Sequence, residues 1–187
     1  FTSDDEGETW QLVRSLWDRE ERRKWFGGGA DVPGIHSICV DPRDPGRVTI
    51  GVSCGGVWQT PDGGRSWTNV AHGMRADFLP PEHQLDPEGQ DPHLIASSPA
   101  DPDKLWCQHH CGIFRSVDCG ASWTEVEGVA PSAFGFAVAV HPKDAPYEIA
   151  HKTAYRVHER VADKYVDGRI FLAGDAAGTT PFDRQSE

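Results

Sequence analysis

Ser3-Asp4-Asp5-Glu6-Gly7-Glu8-Thr9-Trp10 returns in the chain as Thr60-Pro61-Asp62-Gly63-Gly64-Arg65-Ser66-Trp67, and again as Ser116-Val117-Asp118-Cys119-Gly120-Ala121-Ser122-Trp123. The shared pattern is Ser/Thr-x-Asp-x-Gly-x-Ser/Thr-Trp, and its tryptophans stand 57 and then 56 residues apart. A near-constant period of that length marks a repeat architecture in which each copy is one supersecondary unit. The residue types describe a tight turn. Asp5, Asp62 and Asp118 can accept backbone N–H groups across it, and the Ser or Thr residues do so more weakly. Gly7, Gly64 and Gly120 supply the positive φ that other residues tolerate poorly. Trp10, Trp67 and Trp123 then leave the turn and wedge between layers. All of these residues are read as structural.

A second element repeats in phase with the first. Ile35-His36-Ser37-Ile38-Cys39-Val40-Asp41-Pro42 pairs with Pro92-His93-Leu94-Ile95-Ala96-Ser97-Ser98-Pro99, and a third copy opens at Phe136-Ala137-Val138-Ala139-Val140-His141-Pro142. Each reads as an inner strand closed by a Pro-bounded turn. Two further strands follow in each full unit, at 47–53 with 56–59 and at 104–109 with 112–115. The turn motif then leads into an outer strand beginning at Trp67 or Trp123. Four short strands per unit make a propeller blade. The expected fold is mainly β: an incomplete propeller over 1–146, with two full four-stranded blades (33–75 and 90–130) plus partial ones. A short helix-strand appendage occupies 147–187.

Composition agrees. The hydrophobic fraction is 37% with seven Trp, and Gly 20 and Pro 14 provide many turns, which favours short strands over a large helical core. The net charge of -11 lacks the basic footprint that a phosphate backbone or an anionic membrane surface would need. No apolar run approaches a membrane span. The five cysteines, an odd number, fit reduced thiols better than a disulfide framework. Together with the lack of a visible signal peptide in a chain that begins inside a repeat, they point to the cytoplasm.

The turn motif and its phase resemble the BNR/Asp-box repeat family, which includes sialidases and other glycoside hydrolases. Trp25-Phe26-Gly27-Gly28-Gly29, Gly34-Ile35-His36-Ser37-Ile38 and Gln108-His109-His110 resemble the sialidase-like, BNR-repeat glycosyl hydrolase group more closely. The resemblance implies glycan binding or hydrolysis by the full-length protein and places the box at the blade periphery, away from the central site. Sialidase chemistry also implies an arginine triad and a Tyr/Glu pair, and neither is visible here.

After Asp144 the text changes. Tyr155, His158, Val161, Ala162 and Tyr165 fall at helical spacing within Lys152 to Tyr165, and a strand follows from Arg169. Tyr155-Arg156-Val157-His158-Glu159-Arg160-Val161-Ala162 and Gly168-Arg169-Ile170-Phe171-Leu172-Ala173-Gly174-Asp175-Ala176-Ala177 resemble the FAD-binding segment of phenol-hydroxylase-type aromatic monooxygenases. That resemblance implies that Asp175, with Arg169, would touch the flavin's ribityl and ribose region. The chain carries no G-x-G-x-x-G fingerprint, and Gly178 and Phe182 replace the family's usual His and Pro. No bound cofactor is expected.

Candidate chemistry gathers at two places. His36 and His93 open equivalent inner strands, and His109 and His110 end a second strand, where a propeller's mouth can take a substrate or a metal. The bland alternative is a set of half-buried histidines bonded to neighbouring blades. In Cys107-Gln108-His109-His110-Cys111, strand alternation splits the possible ligands between two faces, so structural thiols and no metal are expected. The long connection 71–92 holds Arg75 as a substrate contact and Asp77, Glu82 and Asp91 as possible acid/base carboxylates, since glycoside hydrolysis needs two carboxylates across the scissile bond. The mixed charges of 18–24 read as a solvated helical turn with Asp18–Arg22 and Glu20–Lys24 pairs, anchored by Trp25.

The expected function is therefore that of a fragment of a sialidase-like propeller, binding or hydrolysing glycan in full length and inactive as this chain. A non-catalytic binding scaffold and a flavin monooxygenase remnant are the alternatives. The expected partners are a carbohydrate and either the missing blades or a second copy meeting the open strand edges.

Overall fold

The computed structural model describes residues 1–129, 132–141 and the backbone of 166–167 and 170–171. The chain divides into two compact units, Phe1–Pro146 and Tyr147–Glu187. In the second, the described part is an antiparallel pairing of β9 (Val166–Asp167) with β10 (Ile170–Phe171). The helix expected over 152–165, and Arg169 and Asp175, lie outside the described residues.

The first unit holds two antiparallel four-stranded sheets, each in simple sequence order. Sheet one is β1 (Ile35–Asp41), β2 (Asp44–Val52), β3 (Gly56–Thr60) and β4 (Thr68–Asn69). Sheet two is β5 (Pro92–Ser97), β6 (Leu105–His109), β7 (Gly112–Ser116) and β8 (Thr124–Glu125). The arrangement is an open, incomplete propeller. Closing one takes four or more such blades.

The three repeated turns form the same hydrogen-bond net. Asp62 Oδ1 accepts the Ser66 N–H at 2.9 Å and Asp62 Oδ2 the Ser66 hydroxyl at 2.7 Å, while Gly64 N–H donates to Thr60 Oγ1 at 2.8 Å. Asp5 and Asp118 repeat these bonds with Thr9 and Ser122, and Ser3 and Ser116 take the place of Thr60. Gly7, Gly64 and Gly120 all have φ between 85° and 93°. The tryptophans differ in surroundings. Trp123 is 3% exposed and donates its indole N–H to Val70 O of the preceding sheet, and Trp67 is 9% exposed. Trp10 is 61% exposed, because its turn closes only the Thr2–Gln11 bridge rather than a sheet. The turn forms by itself, and burial of its indole needs a blade.

Two cores stack on either side of sheet one. Val57, Met74, Ile95, Leu105, Cys107, Phe114 and Trp123 fill the space between the sheets. On the other side Ile50, Val52, Trp58 and Trp67 pack on Leu16, Val13 and Trp25 of the N-terminal segment. That segment contains α1 (Arg14–Trp17) and a 3-10 turn, Glu20–Lys24. Its ion pairs are Arg14–Asp18, Arg19–Glu21 and Lys24–Glu88 rather than the expected Asp18–Arg22 and Glu20–Lys24. With three residues per turn, a 3-10 helix does not bring i and i+4 onto one face. Trp25 does anchor the turn, 5.5 Å from Trp58. Phe136 to Val140, expected as the first strand of another blade, carries no strand pairing. All five cysteines are free thiols.

Candidate functional site

The site lies where β5 begins and β6 ends. Pro92 pairs with His109, and the ladder slips between Pro92 and Leu94, which puts His93 in a β-bulge. Bulges re-aim a side chain and recur beside functional sites. His36 sits in the corresponding slip between Ile35 and Ser37 of β1. After His109 the chain turns through His110 and Cys111 alone to reach Gly112. In sheet one the turn from Val52 to Gly56 takes three residues, with Cys54 in the left-handed region at φ 43°. The ladders thus set His110 opposite Ser53. Cys54, which a count back from the later strands would select, occupies the additional turn.

Asp91 precedes the bulge and is 3% exposed. Its Oδ1 accepts the Ser53 hydroxyl and the Cys54 N–H, both at 3.1 Å. Its Oδ2 lies 3.3 Å from His93 Nε2 and 3.6 Å from His110 Nδ1. One ligand-type atom from each of these three residues falls within 4.8 Å of the others. Burial pushes the Asp91 carboxyl up, but His93 beside it and the two donors on Oδ1 outweigh that and hold it at about 2. Burial pulls His93 down, yet its bonds to Asp91 and to Gly135 O leave it raised overall. Asp91 therefore remains an anion.

His109 has a different role. It is fully buried against Phe114, with the Asp91 N–H 2.9 Å from Nε2 and the Cys111 N–H 3.0 Å from Nδ1. Burial drives it down to about 3, so the ring is neutral, and its single unprotonated nitrogen accepts one of these two N–H groups. It is a neutral brace for the turn that presents His110.

Aromatic rings wall the cluster. Phe136 stacks on His93 at 4.8 Å and 13°, Phe134 meets His110 edge-on at 5.2 Å, and Phe78 meets His110 at the same distance. Phe134 and Phe136 are 51% and 70% exposed. The segment carrying them is tied down by His93 Nδ1–H donating to Gly135 O at 2.6 Å and by Gln108 Nε2–H donating to Ala133 O at 2.8 Å. Gly28 passes over the carboxylate: a Cβ there would lie 3.1 Å from Asp91 Oδ2.

Of the residues singled out in the sequence, Asp91, His93 and His110 come together, with His109 behind them. His36 is exposed on sheet one and is not among the clustered groups. Arg75 pairs with Asp77 at 3.1 Å and approaches Glu125 at 3.6 Å, all on the surface. Glu82 is exposed in the 3-10 turn Pro81–His83. The grouping of Asp91 with two histidines differs from the expectation of no metal-type cluster. That expectation came from strand alternation within 107–111, and His110 escapes it by lying in the turn beyond the strand. Phe78, Phe134 and Phe136 were missed. Phe136 stands in the register of His36 and His93 in the third copy but was read only as the start of a strand, and nothing in the spacing of Phe78 and Phe134, which arrive on loops, ties them to the histidines.

The FAD binding domain family matches residues 132–182. The 6-hydroxy-3-succinoylpyridine 3-monooxygenase of Pseudomonas putida is 46% identical over 39 residues, 21% of this chain and 10% of that protein. The para-nitrophenol 4-monooxygenase of a Pseudomonas species is 38% identical over 72 residues, 37% of this chain and 18% of that protein. The chain thus spans less than a fifth of these relatives. Among solved structures, YCF48 from Cyanidioschyzon merolae matches at 20% identity and a TM-score of 0.37, covering 52% of this chain and 27% of its own. The GH74 xyloglucanase from Xanthomonas campestris matches at 19% and 0.35, covering 66% and 26%. The fold assignment rests on the sheets themselves.

Part of the flavoprotein-like segment, 132–141, belongs to the wall of the histidine cluster, with two of its carbonyls engaged by Gln108 and His93. The described residues pair only antiparallel and build no parallel sheet feeding a helix N-terminus, the element that holds a dinucleotide pyrophosphate. Arg169 and Asp175, which the resemblance assigns to the flavin, lie outside the described residues.

Proposed function

We propose that the blades form a non-hydrolysing carbohydrate-binding module whose ligand lies on the Phe134–Phe136–His93–His110 shelf. The observation that carries this reading is the juxtaposition of two exposed aromatic faces with a buried, ionised carboxylate and two histidines. A sugar ring offers an apolar C–H face to stack and hydroxyls that need hydrogen-bond partners, so it matches both halves of such a shelf. Hydrolysis is disfavoured by the carboxylates. A glycosidase needs two flanking one bond, whereas Asp77 is engaged by Arg75 and Glu82 is exposed in a separate turn. Sialidase specificity gains no support from this site.

Binding of soluble oligosaccharides to the full chain, followed by calorimetry, tests the reading. Phe136→Ala is expected to weaken a bound glycan by roughly fivefold, on the basis that an aromatic contact is worth about 1 kcal/mol. Unchanged affinity in Phe136→Ala and Phe134→Ala overturns the shelf.

A second reading concerns 132–182 alone. The FAD binding domain match over this segment, together with the similarity of the chain to two monooxygenases, favours descent of the segment from such an enzyme. Lack of flavin absorbance when the chain is purified with added FAD would leave it as ancestry without activity.

A further inference from the structure

We infer that Asp91, His93 and His110 bind a divalent transition-metal ion of the Zn2+ type. Ligand atoms about 2.0–2.1 Å from a tetrahedral zinc stand roughly 3.3–3.4 Å from each other. Asp91 Oδ2 lies 3.3 Å from His93 Nε2 and 3.6 Å from His110 Nδ1, close to that spacing, and the two ring nitrogens lie within 4.8 Å of each other. Two imidazoles and one carboxylate form the mixed N/O donor set that such ions prefer.

The surroundings orient each ligand. His93 donates Nδ1–H to Gly135 O, which leaves Nε2 facing the carboxylate. Asp91 Oδ1 is held by Ser53 and the Cys54 N–H, which leaves Oδ2 facing the histidines. Outer contacts of this kind are what fix metal-binding imidazoles and carboxylates. Across 3.3 Å His93 Nε2 and Asp91 Oδ2 form a hydrogen bond when that nitrogen carries a proton as well. A proton on Nε2 answers that pair alone, whereas a metal ion answers all three atoms. Three protein ligands leave a fourth position for water or a ligand oxygen. The inference does not depend on the carbohydrate reading, and it is tested without sugar.

The test is a Zn2+ titration of the full chain, read by ring-nitrogen NMR of the histidines and by calorimetry. One equivalent is expected to shift His93 Nε2 and His110 Nδ1 while His36 keeps its signals. His110→Ala and Asp91→Asn are expected to weaken binding by at least about tenfold to a hundredfold, and His83→Ala to leave it unchanged. Asp91 is buried, so Asp91→Asn is checked for folding by near-UV circular dichroism. If it unfolds, the half-exposed His110→Ala decides. The absence of saturable binding, shifts confined to exposed histidines, or full affinity in His110→Ala overturns the proposal.

Discussion

Sheet one and sheet two are built on the same repeat, and corresponding residues meet opposite fates. Ile38 and Ile95 hold the same place on β1 and β5, yet Ile95 is 3% exposed and Ile38 is 65% exposed. Ile95 packs against sheet one, where its N–H donates to Ser37 Oγ and its carbonyl accepts the Cys39 thiol. The matching face of β1, with Ile35, Ile38 and Val40, looks the other way and stays bare. Chemistry follows a different division. Gly34, His36 and Ser53 of sheet one stand where sheet two has Asp91, His93 and His110. The repeat copies the residues that make a blade and the histidine at 36 and 93, and the site exists only where Asp91 and His110, which were not copied, join that histidine.

The largest effect expected from this comparison is a difference between identical substitutions. Ile95→Ala should lower stability by about 2–5 kcal/mol, the range for emptying a packed core position. Ile38→Ala should fall within about 0.5 kcal/mol, as exposed positions do. Urea unfolding of the two variants reads this directly. Should Ile38→Ala prove as damaging as Ile95→Ala, then Ile38 is covered in solution by a further blade or a second copy of the chain. Dilution of the protein separates those two, since only the second depends on concentration.

The blades were legible in the sequence because their determinants are local. Asp62 reaches only as far as Ser66, and the strands alternate in register with the motif, so order, number and approximate bounds could be read from spacing. The site was half legible. Asp91, His93, His109 and His110 could each be named, but their grouping depends on a bulge at His93 and a turn one residue shorter than its counterpart. Neither leaves a mark in composition. The phenylalanine wall was not legible, because it depends on where loop 132–141 is pinned by Gln108 and His93 and loop 71–92 by Cys111. The charge run failed for a simpler reason: i,i+4 pairing presumes an α-helix, and the segment formed a 3-10 turn.

A smaller effect separates the first repeated turn from the other two. Hydrogen bonds from Thr9 and Ser66 to the carboxylates of Asp5 and Asp62 hold both at about 2. Asp118 is also lowered, where the bonds from Ser122 and Ser116 outweigh burial. A carboxylate near 4 in the unfolded chain and lower in the fold contributes stability that is fully present above about pH 4. That contribution is lost as the pH falls through the folded value, here between about 4 and 2. Asp62 closes the hairpin between β3 and β4, whereas the turn of Asp5 lies outside both sheets. Comparing the urea midpoint at about pH 6 and about pH 3, Asp62→Asn should be less acid-sensitive than the wild type and Asp5→Asn should match it. An equal response of all three would place the acid sensitivity elsewhere.

The smallest effect expected is at an ionic contact between the two blades, Arg43 to Asp103, that the repeat does not reproduce. Arg43, at the β1–β2 turn, bonds Asp41 at 2.8 Å and crosses to Asp103 of sheet two at 2.7 Å, with the Cys119 thiol at 3.6 Å. The corresponding position of sheet two is Ala100, so no such clamp projects from that sheet. Arg43 is about half exposed, and exposed pairs contribute little because water and salt screen them while two long side chains lose freedom. Arg43→Ala should therefore lower the thermal midpoint only slightly at low ionic strength, and not measurably at about 1 M salt, where screening acts within about 3 Å. A deficit that survives high salt would mean that the guanidinium's stem, laid across the seam between the two sheets, matters more than its charge. The seam would then be held by packing at its rim as well as by the apolar layer around Ile95, and blade-to-blade cohesion would not reside in the copied residues alone.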